Sequence, residues 1–380
     1  MRWLVLTSST GTGHNMRAEA LRLWVERECG SDVELRIHQT LETTHPLYRF
    51  GVGLYNTIQR RAPRLHHIYF NYLELAGMHR HGERILGRDK FSAAVAAFAP
   101  HRVISVHAHT NHGFFTLARR ALPASPPRCL TYCGELFGGY GFSRHWANPS
   151  ADGFIGATPE VCAAARAVGT PTENVYHGGF LLRPSLYATE EEGEAQAVAL
   201  AAELGLNRRA FTVVLSTGLA GANNHLPILR CLAATGKKFQ VIALCSRNTK
   251  ALHAIEAYAA GHPTLTIRAL GQTDRILALL CLASALVARP GTGATSESIL
   301  TGTPLIHNCI GGIMPQELIT IQHCRQHACA LTARSAREVV NCILKLQAEP
   351  TFAAELRHRL HAARPVGNPA QIVRWILKRP

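Results

Sequence analysis

Long apolar runs are missing from this chain of 380 residues. No stretch approaches the roughly 20 consecutive apolar residues that a membrane-spanning helix needs, and the longest, residues 276–287, falls well short. Acidic residues are scarce too: 25 Asp and Glu stand against 40 Lys and Arg, a formal net charge of +15. That surplus favours an anionic partner, whether a phosphorylated ligand, an acidic lipid surface or nucleic acid. Charged residues make up only 17% of the chain and hydrophobic ones 47%, which excludes a disordered polymer. Low-complexity tracts and internal repeats are also lacking. The 11 cysteines show no paired metal-type spacing: Cys129 with Cys133, and Cys324 with Cys329, are too loosely set for a zinc knuckle. They read as reduced thiols, several buried as small hydrophobes. Residues 1–10 read as a strand flowing into a glycine turn and not as a secretory signal. The expectation is a protein that is cytoplasmic, soluble or peripheral on the inner face of the cell membrane.

Short apolar runs alternate with helical patterns through the first half. Residues 4–8, 33–37, 103–106, 128–132, 153–157 and 175–178 read as strands, and residues 16–29 as an amphipathic helix. The composition turns acidic and alanine-rich between residues 185 and 205, which marks an interdomain connection. A second series of strands follows at 211–216, 239–244, 264–269, 285–288 and 304–306. This alternation predicts an α/β fold of two Rossmann-like, doubly wound domains facing across a cleft. The expected boundaries are 1–187 and 188–365, with a C-terminal helix over 366–380 packing back on the first domain. In open parallel sheets, ligands bind beyond the carboxyl ends of the strands.

Two glycine-bearing turns follow predicted strands, Ser8-Ser9-Thr10-Gly11-Thr12-Gly13-His14 and Ser216-Thr217-Gly218-Leu219-Ala220-Gly221-Ala222-Asn223. Glycine admits close backbone approach, and the following helix offers amides to an anion. Neither turn has the Gly-Lys-Ser/Thr of a nucleotide-triphosphate loop or the dinucleotide fingerprint, so each reads equally as a tight strand-to-helix turn. His14 stands where a helix begins. It is either a neutral base for an attacking hydroxyl or a capping and packing residue among 21 histidines. The richest stretch runs Arg289-Pro290-Gly291-Thr292-Gly293-Ala294-Thr295-Ser296-Glu297. A helix starting near Thr295 would offer amides to a diphosphate, with Glu297 in its first turn accepting from ribose hydroxyls. Pro315-Gln316-Glu317, beyond the next strand, presents an amide and a carboxylate suited to sugar hydroxyls.

These motifs, in this order, resemble glycosyltransferase family 28 in its diacylglycerol-glycosyltransferase branch, the monogalactosyldiacylglycerol synthases and processive diacylglycerol glucosyltransferases. The first loop looks like that branch's Gly-Gly-Gly-His element, and His107-Ala108-His109-Thr110-Asn111 like its Ser-His-Pro-His segment. Trp146, residues 152–158 and Gly178-Gly179-Phe180-Leu181-Leu182-Arg183-Pro184 resemble segments leading out of the first domain. Cys245-Ser246-Arg247-Asn248 is similar to its Cys-Gly-Arg/Lys-Asn turn, Arg289-Pro290-Gly291 to its Lys-Pro-Gly-Gly donor loop, and Pro315-Gln316-Glu317 to its Pro-Gly-Gln-Glu motif. The resemblance implies a GT-B fold, an inverting mechanism and a UDP-sugar donor, with no metal and no cofactor. It assigns His14 as base; Gly218, Gly221, Arg247, Asn248, Arg289, Gly291, Thr292, Gly293, Glu297, Gln316 and Glu317 to the donor; and Gly13, His107, His109 and Trp146 to the acceptor. Where the branch has Thr-Asp-Phe, this chain has Thr131-Tyr132-Cys133-Gly134-Glu135-Leu136, which makes Glu135 the candidate carboxylate.

Residues 47–76 interleave aromatic and basic side chains, among them Tyr48, Phe50, Tyr55, Arg60, Arg61, Arg64, Tyr69 and Tyr72. They read as an interface with an anionic membrane, as a nucleic-acid surface using the same charges and stacking rings, or as an ordinary helix pair with solvated arginines. His107, His109 and His112 follow a buried strand without a Cys or carboxylate at ligand spacing, so a metal is not expected there. The expected activity is transfer of a hexose from a UDP-sugar to a membrane lipid such as diacylglycerol, with no nucleic-acid partner. Two alternatives stay open: a transferase of the same fold with a non-lipid or polyprenyl acceptor, and a UDP-sugar epimerase or hydrolase. A non-catalytic sugar-nucleotide or membrane-binding module is a third.

Overall fold

A computed structural model describes residues 1–11, 13–77, 79–216 and 224–378. The chain divides into two compact units. Unit 1 comprises Met1–Pro184, Met314–Ile319 and Pro365–Pro380, and unit 2 comprises Ser185–Ile313 and Thr320–Arg364.

Unit 1 holds six parallel strands: β1 (Arg2–Thr7), β2 (Glu34–Gln39), β3 (Arg102–Ser105), β4 (Arg128–Cys133), β5 (Gly153–Gly156) and β6 (Val175–His177), in the order β2-β1-β3-β4-β5-β6. The inner strands are buried nearly throughout while β2 and β6, at the edges, are partly exposed along their length. Such burial on both faces is why they read as continuous Val, Ile and Leu runs. Helices that matter below are α1 (Gly13–Cys29), α2 (Pro46–Arg61) and α3 (His66–Ala76). Leu4, Leu6, Tyr48, Val52, Phe91, Val103, Phe114 and Phe115 share one core cluster that ties α2 to the sheet.

Unit 2 has its own six parallel strands: β7 (Thr212–Leu215), β8 (Phe239–Ser246), β9 (Leu265–Gly271), β10 (Ala285–Ala288), β11 (Leu305–Asn308) and β12 (Leu331–Ala333). Their order, β12-β11-β10-β7-β8-β9, is that of the dinucleotide-binding Rossmann sheet. Unit 1 instead follows the order of the flavodoxin-like sheets, so the halves are not topological copies. The helices used below are α4 (Thr249–Ala260) and α5 (Thr292–Thr301), together with α6 (Pro315–Gln326), whose residues up to Ile319 belong to unit 1. β12, a three-residue, partly exposed edge strand, has no counterpart in the sequence reading.

Unit 1 is completed by α7 (Pro369–Lys378). Trp375 stacks on Tyr176 with ring centroids 5.2 Å apart and planes 10° apart. A side chain at Gly153 would strike Trp375, and one at Gly178 would strike Ile372. Gly179 has a left-handed φ of +81°, and a Cβ there would lie 2.4 Å from the Gly367 carbonyl oxygen. The backbones of 178–179 and 367 thus meet where only glycine fits.

Gly179→Ala carries both left-handed strain and this collision, whereas Gly30→Ala, at φ +53° with open space around it, carries strain alone. Denaturant unfolding should show Gly30→Ala costing about 1–3 kcal/mol and Gly179→Ala clearly more. Equal losses would mean that the 178–179 contact with 367 contributes nothing.

Candidate functional site

The switch point of the unit 1 sheet lies between β1 and β3, where successive connections leave in opposite directions. The loops after these two strands carry His14 and His107. His14 is the second residue of α1, and its Nδ1 donates to the Val106 carbonyl at 2.8 Å, which leaves Nε2 as the acceptor nitrogen. Burial drives its pKa down to about 3; the Arg17 guanidinium lowers it further and the Val106 carbonyl opposes both. The helix amino terminus also disfavours an imidazolium. At neutral pH His14 is therefore an uncharged proton acceptor.

His107 has the opposite tautomer. Its Nδ1 accepts from the His109 amide at 3.2 Å, so Nε2 donates to the Thr10 hydroxyl at 2.7 Å. The His107 ring stands edge-on to His14 at 4.4 Å, and Trp146 lies 5.8 Å from His14. Further imidazoles follow: His107 to His109 at 5.8 Å, His109 to His145 at 4.9 Å and to His79 at 5.6 Å. Burial is the main cause that holds His107 and His109 well below the ordinary range and His79, His112 and His145 near 4. Among the described residues, no three of these imidazoles bring ring nitrogens within 4.8 Å of one another. Asn111 fixes the surrounding loops: its Nδ2 donates to the His145 and Trp146 carbonyls at 2.9 and 3.2 Å, and its Oδ1 accepts from Thr131 at 2.9 Å.

Arg17 is a site residue that the motifs did not reveal. It is buried, and it donates to the Gly134 carbonyl at 2.7 Å. A Cβ on Gly134 would lie 2.1 Å from the Arg17 Nε, so any larger residue there would displace the guanidinium. The neighbouring Glu135 is buried, and one carboxylate oxygen meets no hydrogen-bond partner among the described residues. Burial pushes its carboxyl up, and Arg17 pulls it back. Arg17 thus acts electrostatically on both candidate catalytic groups. The available clue was its spacing three residues after His14, on the same face of a helix.

The first glycine turn is held by side chains. The Ser9 amide donates to Glu42 at 2.5 Å and the Gly11 amide to the Asn56 Oδ1 at 2.9 Å, while the Asn56 Nδ2 donates to the Ser9 carbonyl at 2.9 Å. Gly11, at φ +70°, supplies the turn, and Gly13 opens α1. The amides of Ser9 and Gly11 are thus taken up by side chains and not offered to a phosphate. Gln316 and Glu317 begin α6. The Gln316 Nε2 donates to the Tyr55 hydroxyl at 2.7 Å, and a Glu317 oxygen accepts from the Met314 amide at 2.9 Å, capping the helix.

In unit 2 the switch point falls between β7 and β10. Gly218 and Gly221, after β7, lie outside the described residues. After β10, Arg289 donates to the Ile310 and Gly312 carbonyls at 3.0 and 2.8 Å and so holds the loop beyond β11. Gly291 precedes α5 without a side-chain cap, and a Cβ on Gly291 or Gly293 would meet nothing within 4 Å. The helix begins at Thr292, not near Thr295, because Gly291 alone takes the extended conformation and Thr292 and Gly293 are already helical. Glu297 therefore stands in the second turn, a correction to the first-turn position read from the sequence. Asn248 caps α4 by accepting from the Ala251 amide at 3.0 Å, and the Arg247 Nε donates to Gln272 at 3.0 Å.

No family model matches the chain. It is 23% identical to monogalactosyldiacylglycerol synthase 1 of Arabidopsis thaliana over 361 residues, 88% of this chain and 63% of that protein. Against the processive diacylglycerol beta-glucosyltransferase of Bacillus licheniformis it is 26% identical over 164 residues, 42% of this chain and 40% of that one. The chain thus spans less than two thirds of the length of either relative. Among solved structures it superposes over its full length on MurG of Acinetobacter baumannii, with a TM-score of 0.61 at 13% identity. HepE of Anabaena, solved in complex with UDP, gives 0.56 at 13%. The fold is GT-B, and the resemblance read from the motifs extends to most of the chain.

The folded chain keeps His79, His107 and His145 neutral, whereas the unfolded chain protonates them below the ordinary value of 6.5. Unfolding then takes up protons between pH 6.5 and about 4, so stability falls as pH drops through that window. The slope should reach about 1.4 kcal/mol per pH unit for each fully buried imidazole. Denaturant titrations across this range measure it, and His145→Gln should flatten the profile. A pH-independent stability would refute the neutral cluster.

Proposed function

We propose that this chain is an inverting glycosyltransferase that moves a hexose from a UDP-sugar to the hydroxyl of a membrane lipid such as diacylglycerol. The observation that carries the reading is a coincidence of motif and topology: in both units, loops at the switch point of the sheet carry candidate residues. The two lipid glycosyltransferases to which the chain is similar support the acceptor class, and the UDP-bound neighbour supports the donor.

In this reading the acceptor oxygen attacks the anomeric carbon while the bond from that carbon to the diphosphate breaks. The hydroxyl proton passes to Nε2 of His14, whose Nδ1 is already committed to the Val106 carbonyl. Unit 2 takes the nucleotide. Arg289, Gly291, Thr292 and Gly293 bring the amino end of α5 to the diphosphate, where helix amides stabilise the leaving group without a metal. Glu297 takes the ribose, Gln316 and Glu317 the sugar, and Arg247 and Asn248 complete the donor side. In unit 1, Gly13, His107, His109 and Trp146 shape the acceptor side, with Glu135 as the buried carboxyl.

The outer faces of α2 and α3 are the surface for the lipid. Leu47, Phe50, Leu65, Ile68, Tyr72 and Leu75 are 54% to 81% exposed. Arg49, Arg60, Arg61 and Arg64 are exposed among them, and Glu74 is the single acid of residues 46–76. Apolar side chains interleaved with arginines suit the head-group region of an anionic bilayer. No helix among the described residues is long and apolar enough to cross a membrane. We place the protein peripherally on the cytoplasmic face.

A matrix of UDP-sugars against lipid acceptors, read by UDP release and product mass, tests the reading. Activity should persist in chelator, and His14→Ala should lower kcat by roughly 10²–10⁴-fold while UDP still binds. Turnover of donor without acceptor would favour an epimerase or hydrolase, and full activity in His14→Ala would remove the base assignment.

A further inference from the structure

Tyr55 and Asn56 are consecutive residues of α2, and each grips a different part of the site. Asn56 spends both ends of its carboxamide on the turn that presents His14, accepting from the Gly11 amide and donating to the Ser9 carbonyl, each at 2.9 Å. The Tyr55 hydroxyl accepts from the Gln316 carboxamide at 2.7 Å. Behind it the ring stands edge-on to the buried His66 of α3, with centroids 4.4 Å apart and planes at 89°. All of these residues belong to unit 1.

The helix is two-sided. Tyr48, Val52, Tyr55, Asn56 and Gln59 recur at helical spacing on the inner side, while Leu47, Phe50 and Leu54 form an exposed stripe on the other. Both anchors lie within one turn, so any shift or rotation of α2 moves the His14 turn and Gln316 together. A bidentate carboxamide permits little sliding, because either displacement breaks one of its two bonds.

We propose that Tyr55 and Asn56 are positioning residues that register the base-bearing turn and Gln316 against a single helix, so that seating the outer face of α2 on a lipid surface steadies both. This rests on the glycosyltransferase reading for the roles of His14 and Gln316. Asn56 acts through the turn of residues 8–13, and Tyr55 acts through the Gln316 amide.

The two anchors separate kinetically. Asn56→Leu frees the His14 turn and should lower kcat about tenfold or more with donor KM little changed. Asn56→Asp, which keeps an acceptor for the Gly11 amide but loses the donor to Ser9, should fall between. Tyr55→Phe keeps the ring against His66 and loses only the hydroxyl, so it should raise donor KM several-fold with kcat nearly kept. Hydrogen–deuterium exchange gives a readout independent of turnover. Asn56→Leu should speed exchange in residues 8–13, and phosphatidylcholine–phosphatidylglycerol vesicles should slow it in the parent but not in that variant. Parent-like exchange with and without vesicles in Asn56→Leu, or equal effects of both variants on kcat and KM, would overturn the proposal. A parent that shows the exchange changes but transfers no sugar would count against the glycosyltransferase reading and leave the registration by α2 standing.

Discussion

The hydrogen bond from His14 Nδ1 to the Val106 carbonyl ties chemistry to topology in unit 1. It joins the residue after the β1 turn to the first residue past β3, the two strands that flank the switch point of the sheet. One bond selects the tautomer, leaves Nε2 as the acceptor nitrogen and removes any need for a carboxylate partner to orient the ring. The rest of the site follows from keeping that imidazole in place and dry. His107 packs on it, the Thr10 hydroxyl accepts a hydrogen bond from His107 Nε2, and Asn111 fixes the loop that bears Trp146. Arg17 adds a fixed positive charge one turn along α1, which resists protonation of His14 and draws down the Glu135 carboxyl.

The two glycine-bearing regions at the switch points have opposite characters. In unit 1 the amides of Ser9 and Gly11 are engaged by Glu42 and Asn56 and are not offered to an anion. In unit 2 the N-cap of α5 is Gly291, which gives no side-chain cap, and Gly291 and Gly293 open onto free space. The same residue type thus supports a pre-set side chain in one unit and backbone room for a ligand in the other. Strand order differs as well, and only unit 2 follows the order of the dinucleotide-binding Rossmann sheet.

The strands were legible because parallel, doubly covered strands must be apolar on both faces, and punctuation by glycine and proline bounds them. β12 escaped because Leu331, Thr332 and Ala333 form a short edge that needs no such run. The start of α5 was misplaced because helix ends depend on the dihedral angles of Gly291 and its neighbours, which composition does not encode. His14, His107 and the 289–297 stretch stood out by motif. Arg17, Tyr55 and Asn56 did not. Arg17 and Asn56 meet backbone atoms, and backbone partners look alike in every sequence. Tyr55 meets the Gln316 side chain from far away along the chain.

Unit 1 is discontinuous in sequence: its last covering helix, α7, follows the whole of unit 2. On the ribosome, the glycine-lined hollow beside β5 and β6 therefore stays open while unit 2 is made, since Trp375 and Ile372 have yet to be synthesised. Domains commonly fold as units in the order they emerge. Here the first to emerge is the last to be sealed, and a nascent chain stalled before Pro365 would leave that apolar surface uncovered for chaperones to hold.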